Sequence, residues 1–200
     1  FRMFGKLFEK LFGNPTPLAT ASSAGEKGRE LRPHPDAETI LTFSRVLSNG
    51  DTEILAEIEA SVHDPSGYFQ SVGKNCQFFK TEKDVTPLFA AYDALQRRRV
   101  LGSIDWRAIP EELREELDPL LKKAGIDDFD WSFAEDESCE ELQTQELLEL
   151  VGQKLAKRGR ILLALGMEWD AFDFAVVKPA DFAKIDGMKG ENFLISRQFS

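Results

Sequence analysis

Cysteine and histidine are scarce in this sequence of 200 residues, with two of each. Cys76 and Cys139 lie far apart and have neither a CxxC motif nor a histidine companion, and His34 and His63 lack a ligand spacing such as HExxH. A zinc site is therefore not expected. A disulfide between the cysteines stays open, but two reduced, partly buried thiols are the default interpretation and indicate a cytoplasmic protein.

Short catalytic motifs are also missing. The sequence contains no P-loop, no GxGxxG, no nucleophile elbow and no assembled nucleophilic triad. Cys76, in the stretch GKNC, has no nearby histidine, and a lone cysteine of this kind is usually inert. The sequence therefore favours a non-enzymatic protein, and no cofactor is predicted.

Long apolar runs and positive charge are the other deficits. No stretch approaches the roughly 18 apolar residues of a membrane-spanning helix, and a signal peptide is not expected because the first residues interleave aromatics with charges. Lys and Arg number 25 against 35 Asp and Glu, which gives a net charge of −10. Direct nucleic-acid binding is disfavoured, because it needs cations to replace phosphate counterions.

The first 35 residues read as an appendage. Residues 3–12 carry one apolar stripe at helical spacing, and residues 13–35 are rich in Gly, Pro, Ala, Ser and Thr without periodicity. We therefore expect an amphipathic helix on a flexible linker, followed by a single domain at residues 36–200. The helix docks on that domain, enters a partner's groove, or anchors the protein to a membrane or an assembly as part of a scaffold.

Apolar content of 42%, including 16 Phe, predicts a packed core for that domain. Helical periodicity comes first along the chain, with Asp51 and Thr86 as helix caps and Pro110 opening a later helix that is bent or restarts at Pro119. Strand patterns cluster later, at residues 100–106, 129–133, 160–166, 172–178 and 192–199. The prediction is an α+β fold: N-terminal helices, then a small, mostly antiparallel sheet with a C-terminal hairpin, and helices packed on the sheet.

The predicted hairpin contains a cluster of acidic and aromatic residues. In GMEWDAFDFAVV, strand alternation places Phe172 and Phe174 on one face and Asp173 on the other. The favoured interpretation is a solvated acidic turn with an aromatic cap, and a protein-binding edge is an alternative. A second alternative is a divalent-metal or acid–base site, and hence a metal-dependent enzyme, in which Asp105, Glu168, Asp170 and Asp173 converge.

Charge segregation is the strongest physical signal. Residues 110–150 hold fifteen Asp or Glu against three Lys or Arg, whereas the rest of the chain holds twenty acidic and twenty-two basic residues. The acidic segment is either a solvated face that keeps the protein soluble or a surface for a basic partner. The residues expected to bind that partner, with Trp131 as the buried anchor, are Glu111, Glu112, Glu115, Glu116, Asp127, Asp128, Trp131, Glu135, Asp136 and Glu137.

Two stretches, VLGSIDW and LLALGMEWDAFDFAVVKPADF, carry a resemblance to a family of uncharacterised bacterial proteins known as a domain of unknown function. It covers roughly residues 85–186: a helix, an Asp-Trp strand, a long helix rich in Leu and Glu, and a hairpin with acidic turn residues. The family's hairpin more usually reads Asp-x-x-x-Asp-Ser-Tyr where this chain has Trp169-Asp170-Ala171-Phe172. The resemblance implies a fold without implying an activity.

The functional hypothesis is an acidic protein-binding module. One version is an immunity or antitoxin-like inhibitor that covers the basic substrate groove of a bacterial toxin. The sequence predicts neither direct binding to nucleic acid nor a transmembrane segment.

Overall fold

The computed structural model describes residues 36–135, 142–167 and 169–199 of the chain. The predicted N-terminal helix and linker lie outside these ranges, and so do Asp136, Glu137, Cys139 and Glu168. Within them are seven α-helices: α1 (Ala37–Leu47), α2 (Thr52–His63), α3 (Pro65–Ser71), α4 (Pro87–Arg97), α5 (Pro110–Lys123), α6 (Thr144–Lys157) and α7 (Pro179–Phe182). The strands are β1 (Gly102–Asp105), β2 (Ile161–Met167), β3 (Ala171–Val177) and β4 (Phe193–Phe199). No helix of the described ranges is long and apolar enough to cross a membrane.

Local signals determine where the first helices begin. The Asp51 carboxylate accepts hydrogen bonds from two backbone amides of α2, at 3.0 and 3.2 Å. At α4, the Thr86 hydroxyl accepts a hydrogen bond from the Phe89 amide at 3.3 Å, and Pro87 occupies the first turn. Caps of this type stabilise a helix by about 1 kcal/mol. Both predicted caps are confirmed.

The four strands form one antiparallel sheet in the order β1-β3-β2-β4. β2 and β3 are the predicted hairpin, with Ile161 opposite Val177 at one end and Leu165 opposite Asp173 at the other. β1 pairs with the free side of β3, and β4 pairs with the free side of β2. The predicted α+β class is confirmed, because the helices dominate the first half and the sheet is completed by the C-terminal strands.

Helices cover both faces of the sheet. Successive strand side chains point to opposite faces, so β2 supplies Leu163 to one core and Leu162 to the other. The α4 face of the sheet, which holds Leu163 and Ala175, packs against α1, α2 and α4. The α6 face, which holds Leu162 and Phe174, packs against α5 and α6. The two-sided coverage explains why β2 reads as a continuous apolar run.

A glycine allows α6 to approach the sheet closely. A Cβ atom at Gly152 would overlap the backbone carbonyl of Phe199 on β4. Only a residue without a side chain permits that contact. Gly152 therefore sets the distance between α6 and the outer strand.

One local prediction was wrong, and one of the two alternatives predicted at Pro119 is excluded. Residues 129–133 form no strand and instead lead into a 3-10 helix at Ser132–Glu135. Trp131 packs edge-on against Phe129 and nearly parallel to Phe133, so the alternating aromatics cover the α6-face core rather than pair with a strand. In addition, α5 runs as one helix past Pro119 and does not restart there.

Candidate functional site

The acidic residues of the hairpin region have different environments. Asp105 and Asp170 are exposed, and the Asp105 carboxylate accepts a hydrogen bond from the Arg107 amide at 2.8 Å. Asp173 is buried, with 2% of its surface exposed. Glu168 lies outside the described residues. Among the residues that are described, no three Asp, Glu, His or Cys side chains form a group that could hold a metal ion.

Asp173 lies at the centre of the sheet and is buried there. Its neighbours across the sheet are Ser103 on β1 and Leu165 on β2. The strand alternation places it on the side away from Phe172 and Phe174, as predicted, but that side faces α4 and not solvent. The Tyr92 hydroxyl donates a 2.6 Å hydrogen bond to one carboxylate oxygen of Asp173. The Trp169 indole N–H donates a hydrogen bond of 2.6 Å to the other oxygen.

Burial and hydrogen bonding act on the Asp173 carboxyl in opposite directions. Burial raises its pKa to about 6, while hydrogen bonds from Tyr92, Ser103 and Trp169 lower the pKa and limit the rise. The pKa of Tyr92 is raised, first by its own burial and then by the negative charge of Asp173. At neutral pH the tyrosine is therefore the donor and the carboxylate the acceptor. A carboxyl so enclosed supports the fold and is not accessible to a substrate.

Aromatic rings close this polar centre from one side. Trp169 stacks on Phe78, with centroids 5.6 Å apart, and contacts Tyr92 edge-on at 4.7 Å. Phe78 also stacks on Phe89 at 5.4 Å. The predicted aromatic cap on the hairpin therefore exists, but three of these four rings come from residues that precede the sheet. Nothing in the local sequence of Phe78 or Tyr92 signals this contact.

Cys76 is a free, buried thiol. Burial raises its pKa to about 11, so the nucleophilic thiolate form is disfavoured at neutral pH. The expectation of an inert thiol agrees with this environment.

The acidic segment forms an exposed face on α5 and the loop after it. The side chains of Glu111, Glu115 and Asp127 are exposed and have no ion pair or hydrogen bond to any described residue. Two other predicted contact residues on α5 serve the fold: Glu112 accepts from the Ile109 amide at 3.2 Å, and Glu116 accepts from the Ser103 amide at 3.3 Å.

The remaining predicted contact residues divide between fold contacts and undescribed positions. Asp128 pairs with Arg158 at 2.6 Å. Trp131 is only 6% exposed, and its indole N–H donates to the Asp118 carboxylate at 2.9 Å, so its ring belongs to the α6-face core. Asp136, Glu137 and the side chain of Glu135 lie outside what the structure describes.

The exposed apolar residues lie elsewhere, between β1 and α5. Trp106 is 39% exposed and Ile109 is 53% exposed, and they are the two large apolar side chains exposed in the described part of the chain. The Arg107 guanidinium lies over the Trp106 ring at 4.1 Å from its centroid. Ile109 directly precedes the first turn of α5, which carries Glu111 and Glu112. Sequence reasoning missed this pair, although an Asp-Trp-Arg turn beside an acidic helix was visible.

Comparison with known proteins identifies the family. No curated protein matches the chain, and no solved structure matches it. A family model described as Domain of unknown function (DUF6630) matches residues 39–191, a longer range than the resemblance at residues 85–186. The match runs from α1 to the residues just before β4, so it includes both helical layers and the central hairpin. The chain therefore belongs to the DUF6630 family.

Proposed function

We propose that this chain is a non-enzymatic protein-binding module that recognises a basic partner through the end of β1 and the start of α5. The observation that carries the proposal is the exposure of Trp106 and Ile109 directly beside the acidic first turns of α5. We call Trp106, Ile109, Glu111, Glu115 and Asp127 the α5 surface.

The apolar pair supplies what charge alone lacks. Tryptophan is over-represented among the residues that dominate binding energy, because its large ring displaces much water when it enters a partner's pocket. Arg107 holds the Trp106 ring through a cation–π contact. A ring that is already oriented loses less conformational freedom on binding. Trp106 therefore replaces Trp131 as the proposed anchor.

The charges on α5 and in the loop after it are available to a partner. Glu111, Glu115 and Asp127 make no ion pair with described residues, so their charges are not neutralised within that part of the chain. Exposed carboxylates of this kind accelerate encounter with a basic protein and set its orientation. The net charge of −10 adds a long-range attraction toward a basic protein.

A narrower form of the proposal concerns the partner's identity. A toxin with a basic substrate groove would offer a cationic surface, and an immunity or antitoxin-like inhibitor would act by covering it. The acidic α5 surface supports a basic partner in general, and the toxin is the specific version to test.

The proposal is tested by affinity capture with matched variants. The wild-type protein, a Trp106→Ser/Ile109→Ser variant, and a charge-reversed Glu111→Lys/Glu115→Lys/Asp127→Lys variant are used as baits. The control bait, Glu38→Lys/Glu59→Lys/Glu191→Lys, makes the same change of net charge at exposed positions elsewhere. Glu38 lies in the first turn of α1, so the control also reproduces the cost of a cation near a helix N-terminus.

We expect the wild type and the control to retain one and the same basic protein, and both α5-surface variants to lose it. All four baits should keep their melting temperatures within a few degrees, because exposed substitutions usually change stability by less than about 0.5 kcal/mol each. Capture that survives both α5-surface variants would contradict the proposal, whatever protein is captured.

A further inference from the structure

Four cationic side chains line one open cavity. Their charge is opposite in sign to that of the α5 surface. Arg99 follows α4, Lys123 ends α5, Arg160 precedes β2 and Lys178 precedes α7. The cavity has a volume of about 450 Å³. Its apolar wall consists of Val46, Leu47, Val100, Leu120, Val176 and Val177.

Carboxylates do not balance these four charges. Asp181 is the one carboxylate among the lining residues, and it pairs with Lys184 at 2.7 Å. Arg99 forms an ion pair with Glu116 at 3.5 Å, and Glu116 is not among the lining residues. The Lys178 side chain has no ion pair or hydrogen bond to any residue that the structure describes. Three of the four cations, Lys123, Arg160 and Lys178, therefore have no carboxylate partner among the described residues, in a chain of net charge −10.

Helix ends account for only part of the positive charge. Lys123 donates to the Arg98 carbonyl at 2.9 Å, and Arg160 donates to the Ala124 carbonyl at 3.1 Å. These carbonyls belong to the C-cap residues of α4 and α5, and α1 ends at the same cavity. Each helix C-terminus carries about half a negative charge, so the three together offset less than two of the four cations.

We propose that this cavity binds an organic phosphate. Arginine guanidinium groups match phosphate oxygens with two parallel hydrogen bonds, and the lysines add point charges. The cavity volume lies within the range of small-molecule sites, roughly 300–1,000 Å³. The apolar wall contacts the organic part of the ligand, and the cations hold its phosphoryl groups. No residue of the α5 surface lines this cavity, and the proposal does not depend on the function proposed for that surface.

Isothermal titration calorimetry measures the binding of two probes, inorganic pyrophosphate and ADP, to the full chain. We expect saturable binding of both probes, with ADP at least several-fold tighter because only ADP contacts the apolar wall. The variant Arg99→Gln/Lys178→Gln should weaken both by about tenfold or more. Its control, Lys74→Gln/Lys157→Gln, removes the same charge from exposed positions outside the cavity and should bind as the wild type does.

The proposal fails if neither probe binds saturably, if the cavity and control variants bind equally, or if ADP binds no more tightly than pyrophosphate.

Discussion

The Tyr92 hydroxyl donates a 2.6 Å hydrogen bond to the carboxylate of Asp173, which lies 81 residues further along the chain. This contact joins α4 to the central strand β3. An acidic residue of the hairpin is therefore a buried contact between a helical layer and the sheet.

The first prediction concerns this hydrogen bond. Tyr92→Phe removes the donor and leaves a buried carboxylate with one fewer partner, so the free energy of unfolding at pH 7.5 should fall by about 2 kcal/mol. Urea denaturation measures the change. Tyr68→Phe is the matched control, because the Tyr68 hydroxyl is also buried but has no hydrogen-bond partner among the described residues. The control should lose little or no stability. Equal losses in both variants would show that the Tyr92 contact contributes nothing specific.

The second prediction is a pH dependence with a defined sign. The pKa of Asp173 rises from 3.8 to about 6 on folding, so the folded protein holds more protons than the unfolded chain between these values. The contribution of Asp173 to the free energy of unfolding therefore falls as pH rises from about 4 to 6, by roughly 3 kcal/mol, and then stays constant. Denaturation of the wild type and Asp173→Asn across pH 4–8 isolates this term, because the other carboxylates cancel in the difference.

Asp84 supplies a control of opposite sign for the pH experiment. Hydrogen bonds from Thr81 lower its pKa, so its contribution is present above pH 3.8 and is lost as the pH falls further. The stability difference between wild type and Asp84→Asn should therefore be flat between pH 4.5 and 8. A difference between wild type and Asp173→Asn that is equally flat from pH 4 to 6 would contradict the raised pKa of Asp173.

The third prediction tests the packing of α6 on the sheet. Gly152→Ala places a Cβ atom against the Phe199 carbonyl, and relieving that overlap should lower the free energy of unfolding by about 1–3 kcal/mol. Gly166→Ala is the control, since its nearest neighbour, the Leu194 carbonyl oxygen, is at an ordinary contact distance of 3.5 Å. Thermal melting distinguishes the two. A Gly152→Ala protein as stable as Gly166→Ala would mean that α6 does not pack as closely as described.

Much of this fold could be predicted because its signals are local. Asp51 and Thr86 cap helices with hydrogen bonds that span three residues, and the alternation of β3 separates Phe174 from Asp173 correctly. These contacts depend on a few neighbouring residues, so periodicity and spacing suffice to identify them. The segment at 129–133 failed because a loop that covers a core also alternates apolar and polar residues.

The sites were harder to predict because they are assembled from distant segments. The burial of Asp173 depends on α4 being packed on the sheet face that Asp173 occupies, which strand alternation does not determine. Trp131 and Trp106 both follow an aspartate, yet one is buried in the core and the other is exposed. The basic cavity takes its cations from four separate places in the chain. No local pattern marks such a convergence.

The most direct measurement of the central claim is the association rate of the captured basic partner as a function of salt. Stopped-flow or surface plasmon resonance experiments compare the wild type with the Glu111→Lys/Glu115→Lys/Asp127→Lys variant, with Trp106→Ser, and with the Glu38→Lys/Glu59→Lys/Glu191→Lys control. Screening shortens the reach of exposed charges to about 8 Å at physiological ionic strength, so the wild-type association rate should fall as salt is added.

We expect the α5-surface charge reversal to slow association about tenfold or more at low salt and to change dissociation little, while the control changes both less. Trp106→Ser should do the reverse and raise the dissociation rate, because it removes a buried anchor. Equal association rates for the wild type and the α5-surface variant at every salt concentration would contradict the account and would leave the acidic face as a means of keeping the protein soluble.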